Sequence, residues 1–172
     1  DSPGHYVVTG RIAPAAIQAT VTAQEPAKGL IASIAHLPDL GAVSIQASVN
    51  GPKDALGTQV GVTAGPLTAS VSGTVDLTHQ AADLAVKANA PAMTPAAGIS
   101  WQSVLVDATV HGPFAKPDAK GTVQIASLSA AGARIGTLAA DVNGNAGQVQ
   151  LHATVSNLDI PGPRPDLLAA DP

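Results

Sequence analysis

Pro66–Leu77 reads PLTASVSGTVDL. Leu67, Ala69, Val71, Gly73, Val75 and Leu77 fall on one side of an extended chain, and Thr68, Ser70, Ser72, Thr74 and Asp76 on the other. Successive side chains of a β-strand point to opposite faces, so this alternation describes a sheet with one apolar and one wet face.

The same pattern recurs outward in both directions. VSIQASV groups Val43, Ile45, Ala47 and Val49. VLVDATV groups Val104, Val106, Ala108 and Val110. GQVQLHATV sets Val149, Leu151, Ala153 and Val155 against Gln148, Gln150, His152 and Thr154. Further strands are expected near Ile17–Ala23, Leu84–Ala90, Gly121–Leu128 and Ile135–Val142. Turn signals separate them: Gly51-Pro52, Gly65-Pro66, Gly112-Pro113, Pro117-Asp118 and Asn143-Gly144-Asn145. Short strands with such punctuation indicate antiparallel all-β structure. The best helix candidate, KGLIASIAHL (Lys28–Leu37), is short, lies between Pro26 and Pro38, and reads equally well as a buried strand.

One motif occurs twice. VNGPKDALGTQVGV (Val49–Val62) and VHGPFAKPDAKGTVQI (Val110–Ile125) each run from an alternating segment into Gly-Pro, through a polar turn, and out through Gly-Thr into more alternation. Repeating β units that stack on their neighbours give quasi-one-dimensional proteins. About eleven strands at about 4.8 Å each would make a single sheet on the order of 50 Å across. A closed globule would fold the same strands into two facing layers.

The chain has 172 residues, a net charge of −4 and one each of Trp, Tyr and Phe. It therefore has neither the basic face nor the stacking platforms that a nucleic-acid partner requires. Apolar residues make up 45% of the chain, almost all short aliphatics, and charged residues only 12%, against about 25% in typical globular domains. With no Cys, disulfides, thiol catalysis and Cys-based metal sites are excluded. DSPGHYVVTG at the start has no signal-peptide character. The charge-free stretches Ala55–Val75 and Ala88–Val106 are broken by Gly or Pro and studded with polar residues, unlike a membrane span. The abrupt start and the final PDLLAADP suggest a fragment of a longer polypeptide.

Little reactive chemistry is present. His5, His36, His79, His111 and His152 are scattered, without the local spacing of a ligand cluster, and read as polar residues of the solvent face. GISWQS (Gly98–Ser103) lacks the second Gly of a nucleophile elbow, because position 102 is Gln. Asp76, Asp83, Asp107, Asp118 and Asp141 are isolated in sequence. A glycosidase pair from such residues would normally sit among aromatic platforms, which are missing. No phosphate-binding loop occurs. Trp101 is expected at a strand end or capping one end of the apolar surface. Neither catalysis, a metal nor a cofactor is expected.

From Val110 to Pro172 the chain resembles the C-terminal half of TamB-type translocation and assembly module proteins of the AsmA-like group. The resemblance rests on a Gly-Pro closing a strand, Pro-Asp-Ala-x-Gly opening the next, a small-residue stretch, an Ile-Gly-x-Leu strand, an Asn-Gly turn and a further alternating strand. SNLDIPGPRPDLLAADP (Ser156–Pro172) resembles the start of another unit. Residues from about Leu37 to Pro113 show the same order more loosely, so the chain divides into sub-units of about 37–113 and 110–172 within one repeat-built domain. The resemblance implies a periplasmic location, in a full-length protein anchored in the inner membrane of Gram-negative bacteria. It implies an elongated, curled antiparallel sheet, a "β-taco" with an apolar inner groove, open at its ends. It also implies an Omp85-type outer-membrane barrel partner, met through parts absent from this chain, with roles in outer-membrane protein assembly and phospholipid transfer.

The residues themselves fit that picture. An unfilled apolar face is a lipid-sized trough, and an acyl chain of about 16 carbons moved into it gains on the order of 10 kcal/mol before ordering costs, at about 0.8 kcal/mol per methylene. Val71, Val75, Leu77, Val86, Val106, Val110, Val123, Ile125, Leu138, Val142, Val149, Leu151 and Val155 are the expected lining. For any one of them ordinary core packing is the simpler reading, and the collective pattern carries the argument. The expected occupant is a phospholipid or a hydrophobic polypeptide segment. The alternative is a structural or adhesive β-repeat, such as a solenoid with a filled core and no ligand. In either case unpaired strands at the sheet ends lead to an expectation of edge-to-edge self-association.

Overall fold

A computed structural model describes residues 4–13, 15–27, 29, 41–145 and 147–160. The proposed helix or buried strand at Lys28–Leu37 lies outside these, Gly29 apart, as does His36. The described residues contain twelve strands: β1 (His5–Ile12), β2 (Ile17–Glu25), β3 (Val43–Gly51), β4 (Leu56–Ala64), β5 (Leu67–Asp76), β6 (Ala81–Ala90), β7 (Met93–Ala96), β8 (Ile99–Trp101), β9 (Ser103–Pro113), β10 (Asp118–Ala130), β11 (Ala133–Asn145) and β12 (Gln148–Asp159). No helix occurs among the described residues.

All twelve belong to one antiparallel sheet. Its main path is β1-β2-β3-β4-β5-β6-β9-β10-β11-β12, with the β7–β8 hairpin set against β10 at one end. β1 and β12 do not meet, so the sheet curls without closing into a barrel. Pairing of β9 with β10 joins the two expected sub-units into one continuous structure.

The repeated motif forms two hairpins of the same design. Gly51 (φ 134°), at the end of β3, and Gly112 (φ 104°), one residue before the end of β9, each adopt a conformation that residues with a Cβ rarely adopt. The next residue, Pro52 or Pro113, has no N–H to continue the ladder. Each Pro carbonyl instead accepts an N–H three residues on, from Ala55 at 3.1 Å and from Lys116 at 2.9 Å. Each loop is tied to a neighbouring turn, the first by the Leu77 N–H to the Lys53 carbonyl and the second by the Phe114 N–H to the Gln80 carbonyl, both at 2.7 Å.

Two sequence expectations are corrected here. The β11–β12 turn does not fall on Asn143-Gly144-Asn145: Asn143 pairs with Gln150 and Gly144 with Val149. The chain turns two residues later, where Asn145 Oδ1 accepts the N–H groups of Gly147 and Gln148, both at 3.1 Å. Leu77 is not on β5. The Asp76 side chain ends that strand by accepting the N–H groups of Thr78 and His79, both at 2.9 Å, and Leu77 is left exposed in the turn.

Strict alternation also breaks near one end of β10 and β12. Ser127 (φ 52°) and Asn157 (φ 54°) adopt left-handed conformations at matching levels of their strands, where the pairing register is interrupted. Gln102 sits at the same level, between β8 and β9, and its N–H donates to the Ala126 carbonyl at 2.9 Å.

Candidate functional site

Because the ladder keeps its phase from strand to strand, apolar residues line up in rows across the whole sheet. One row starts Val8, Val21, Ala47, Val60, Val71, Val86 and continues through Ala108, Gly121, Val142 and Leu151. The next starts Tyr6, Ala23, Ile45, Val62, Ala69, Ala88 and continues through Val106, Val123, Ala140 and Ala153. The opposite face carries Ser, Thr, Gln, Asn and charged residues at the intervening positions.

The structure brings twelve of the thirteen expected lining residues onto this one face. Val71 pairs with Val86, Val106 with Val123, Ile125 with Leu138, Val142 with Leu151, and Leu138 with Val155. Val75, Val110 and Val149 lie in the same phase near the other ends of their strands. Leu77 alone is elsewhere, for the reason given above. Ile45, Val60, Val62, Leu84 and Val104 share the face but were not in the expected set.

How closed this face is decides what it can do. Among the described residues only Ala23, Val43, Leu56, Ala64 and Ala90 are buried hydrophobics, and no side chain is fully buried. Val43 and Ala64 pack together with Ile45 at one end of β3 and β4. Val71, Val86, Val106, Val123, Ile125 and Leu138, further across the sheet, are half-buried. At the edge the face is open to solvent, with Val149 74% and Leu151 67% exposed. A two-layer sandwich would seal such residues, since facing sheets pack about 10 Å apart with interdigitating side chains. The interior of a filled solenoid is thus not found among the described residues. The apolar positions are nonetheless less exposed than their polar neighbours along most strands.

Among the described residues, depressions occur on the polar face. One, of about 610 Å³, is lined by Thr68, Ser70, Lys87, Asn89, Leu105 and Gln124 among others. Across its floor the Lys87 Nζ meets Asp107 Oδ2 at 2.6 Å, an exposed ion pair that solvent screens. His111 Nδ1 lies 3.4 Å from Asp83 Oδ2 on the adjacent strand. These hydrophilic walls suit water better than an acyl chain. The sequence reading missed them because β6 pairs with β9 across the inserted β7–β8 hairpin, so nothing local places Lys87 beside Asp107. Among the described residues no three His, Asp or Glu side chains converge as a metal-binding set.

Two further contacts lie at strand ends. The Tyr6 hydroxyl donates to Glu25 Oε1, holding the carboxylate of a buried residue at the end of β2. Trp101, at the end of β8, donates its indole N–H to the Pro91 carbonyl at 3.1 Å and so pins the β7–β8 hairpin.

Comparison of the chain with protein families, curated proteins and solved structures gives no match.

Proposed function

We propose that this chain offers its apolar sheet face as a groove for phospholipid acyl chains. The observation that carries the reading is a row of aliphatic residues ten strands wide whose central members are only half-buried. Contact with an acyl chain is non-directional and needs no catalytic group, which accords with a face built from Val, Ala, Ile, Leu and Gly. Small residues beside larger ones, such as Ala108 and Gly121 between Val86 and Val142, leave relief into which a flexible chain can settle. Each methylene removed from water contributes about 0.8 kcal/mol, so even a partly enclosed chain gains several kcal/mol.

In this reading the chain is the periplasmic segment of a TamB-like protein that bridges inner and outer membranes. Lipids or hydrophobic segments of outer-membrane proteins would pass along the groove toward an Omp85-type barrel, which other parts of the full-length protein would meet. The resemblance of Val110–Pro172 and the curled open sheet support it.

Native mass spectrometry of the protein purified from a Gram-negative host tests the reading. The expected spectrum shows phospholipid adducts, reduced in a Val106→Asp variant that places a carboxylate in the middle of the face. A bare protein mass in gentle detergent-free conditions, with no adduct after incubation with phospholipid, would overturn it.

A further inference from the structure

Each outer strand of the sheet, β1 and β12, has one strand partner among the described residues. Every residue of both strands is exposed. Neither carries the devices that usually blunt an edge: no Pro, no Lys, and only Arg11 in β1 and Asp159 in β12 as fully charged groups. β12 extends over 12 residues and β1 over 8.

The topology relates these edges to each other. The main path is an antiparallel succession with an even number of strands, so β1 and β12 run in opposite directions. Placing β1 of a second copy beside β12 therefore continues the antiparallel order with the apolar faces on the same side. The level rows set the register: Leu151 beside Val8, Ala153 beside Tyr6 and Val149 beside Gly10. Large meets small at two of these three pairs, and the exposed apolar groups, Val8 (73%) and Leu151 (67%), cover one another.

We propose that copies of this chain join head to tail, β12 of one pairing with β1 of the next, so that the apolar face runs on without a break. The joint is heterologous, leaving a free β1 and a free β12 at the outer ends, so assembly is open-ended rather than a closed dimer. The proposal does not depend on what occupies the apolar face.

The natural absence of cysteine gives a direct test. Singly substituted Val8→Cys and Leu151→Cys proteins, mixed and oxidised, form a disulfide-linked dimer, because opposed Cα atoms in an antiparallel pair lie within disulfide reach. Val8→Cys mixed with His152→Cys does not, since His152 faces the other side. Sedimentation of the unsubstituted chain shows species that grow beyond dimers with concentration, and Leu151→Lys abolishes that growth. Disulfide dimers of Leu151→Cys with itself, in place of the mixed product, would show a two-fold joint and overturn the head-to-tail arrangement. Equal linkage through His152→Cys, or a concentration-independent monomer, would overturn edge pairing altogether.

Discussion

Replacing Val123 with Thr tests whether the apolar face is open. Val and Thr have nearly the same shape, so the change substitutes a hydroxyl for a methyl with little effect on packing volume. Val123 lies mid-sheet, between Val106 and Ala140, and is half-buried. Sealed in a dry interior, an unpaired hydroxyl costs about 1–3 kcal/mol by mutational measures. On an open face it stays hydrated, and Thr suits a strand well, so the cost stays below about 1 kcal/mol. The face already tolerates such a group: Thr58 stands in an apolar row between Val49 and Gly73, its hydroxyl 3.3 Å from the Leu56 carbonyl. Leu138→Ala gives a second reading. Three carbons at about 0.8 kcal/mol each set an upper figure of about 2.4 kcal/mol, and half-burial reduces it to about 1 kcal/mol. A filled core would add a cavity cost and bring the loss to about 2–5 kcal/mol. Urea unfolding followed by circular dichroism, with midpoints compared at constant slope, measures both. A loss near 2 kcal/mol for Val123→Thr, or above 3 kcal/mol for Leu138→Ala, refutes the open face.

Other consequences can be checked independently. Gly73 has φ 149°, and a Cβ there would run into the Asp83 carbonyl of β6, so Gly73→Ala is expected to destabilise by about 1–3 kcal/mol in the same unfolding assay, far more than Gly61→Ala, where a Cβ meets nothing. His79 Nδ1 lies 2.7 Å from Asp76 Oδ2, and the hydrogen bond and charge of Asp76 raise the His79 pKa above its ordinary 6.5. The backbone N–H and then the ring of His79 lower the Asp76 pKa below its ordinary 3.8. The contact thus stabilises the turn fully below pH 6.5 on the histidine side and is lost as pH rises through the raised value. On the carboxylate side it is complete above pH 3.8 and lost as pH falls through the lowered value. An NMR titration of His79 with a midpoint at or below the ordinary 6.5 contradicts this. Trp101→Phe removes the indole N–H donated to Pro91, and amide exchange in β7 and β8 is expected to accelerate selectively, while β10 and β11 keep their protection.

Much of the fold was legible because period two is a local property. Val43–Val49, Val104–Val110 and the run ending at Val155 all lie within strands of the same phase, and each Gly-Pro marks a real strand end. What failed were places where a side chain or a distant strand overrides the pattern. Asp76 stops β5 one residue before Leu77 by capping two backbone N–H groups, a contact that alternation does not encode. Asn143 and Gly144 look like a turn but stay in β11 because β12 supplies partners. β1, with Tyr6, Val7 and Val8 in succession, has no clean alternation to read, and it is an exposed edge strand. The β7–β8 hairpin is too short to announce itself, and it hides the β6–β9 pairing on which the polar-face depression depends. The apolar lining was readable as a set, since one residue in phase predicts the others, but its openness depends on the absence of a second layer among the described residues.

Photo-cross-linking to phospholipid at two adjacent positions of β9 tests that openness together with its proposed use. Val106 and Asp107 lie on opposite faces of the same strand. With a benzophenone side chain at each in turn, the groove account predicts lipid adducts at position 106 and none above background at 107. Equal labelling at both positions, or labelling at neither, contradicts it.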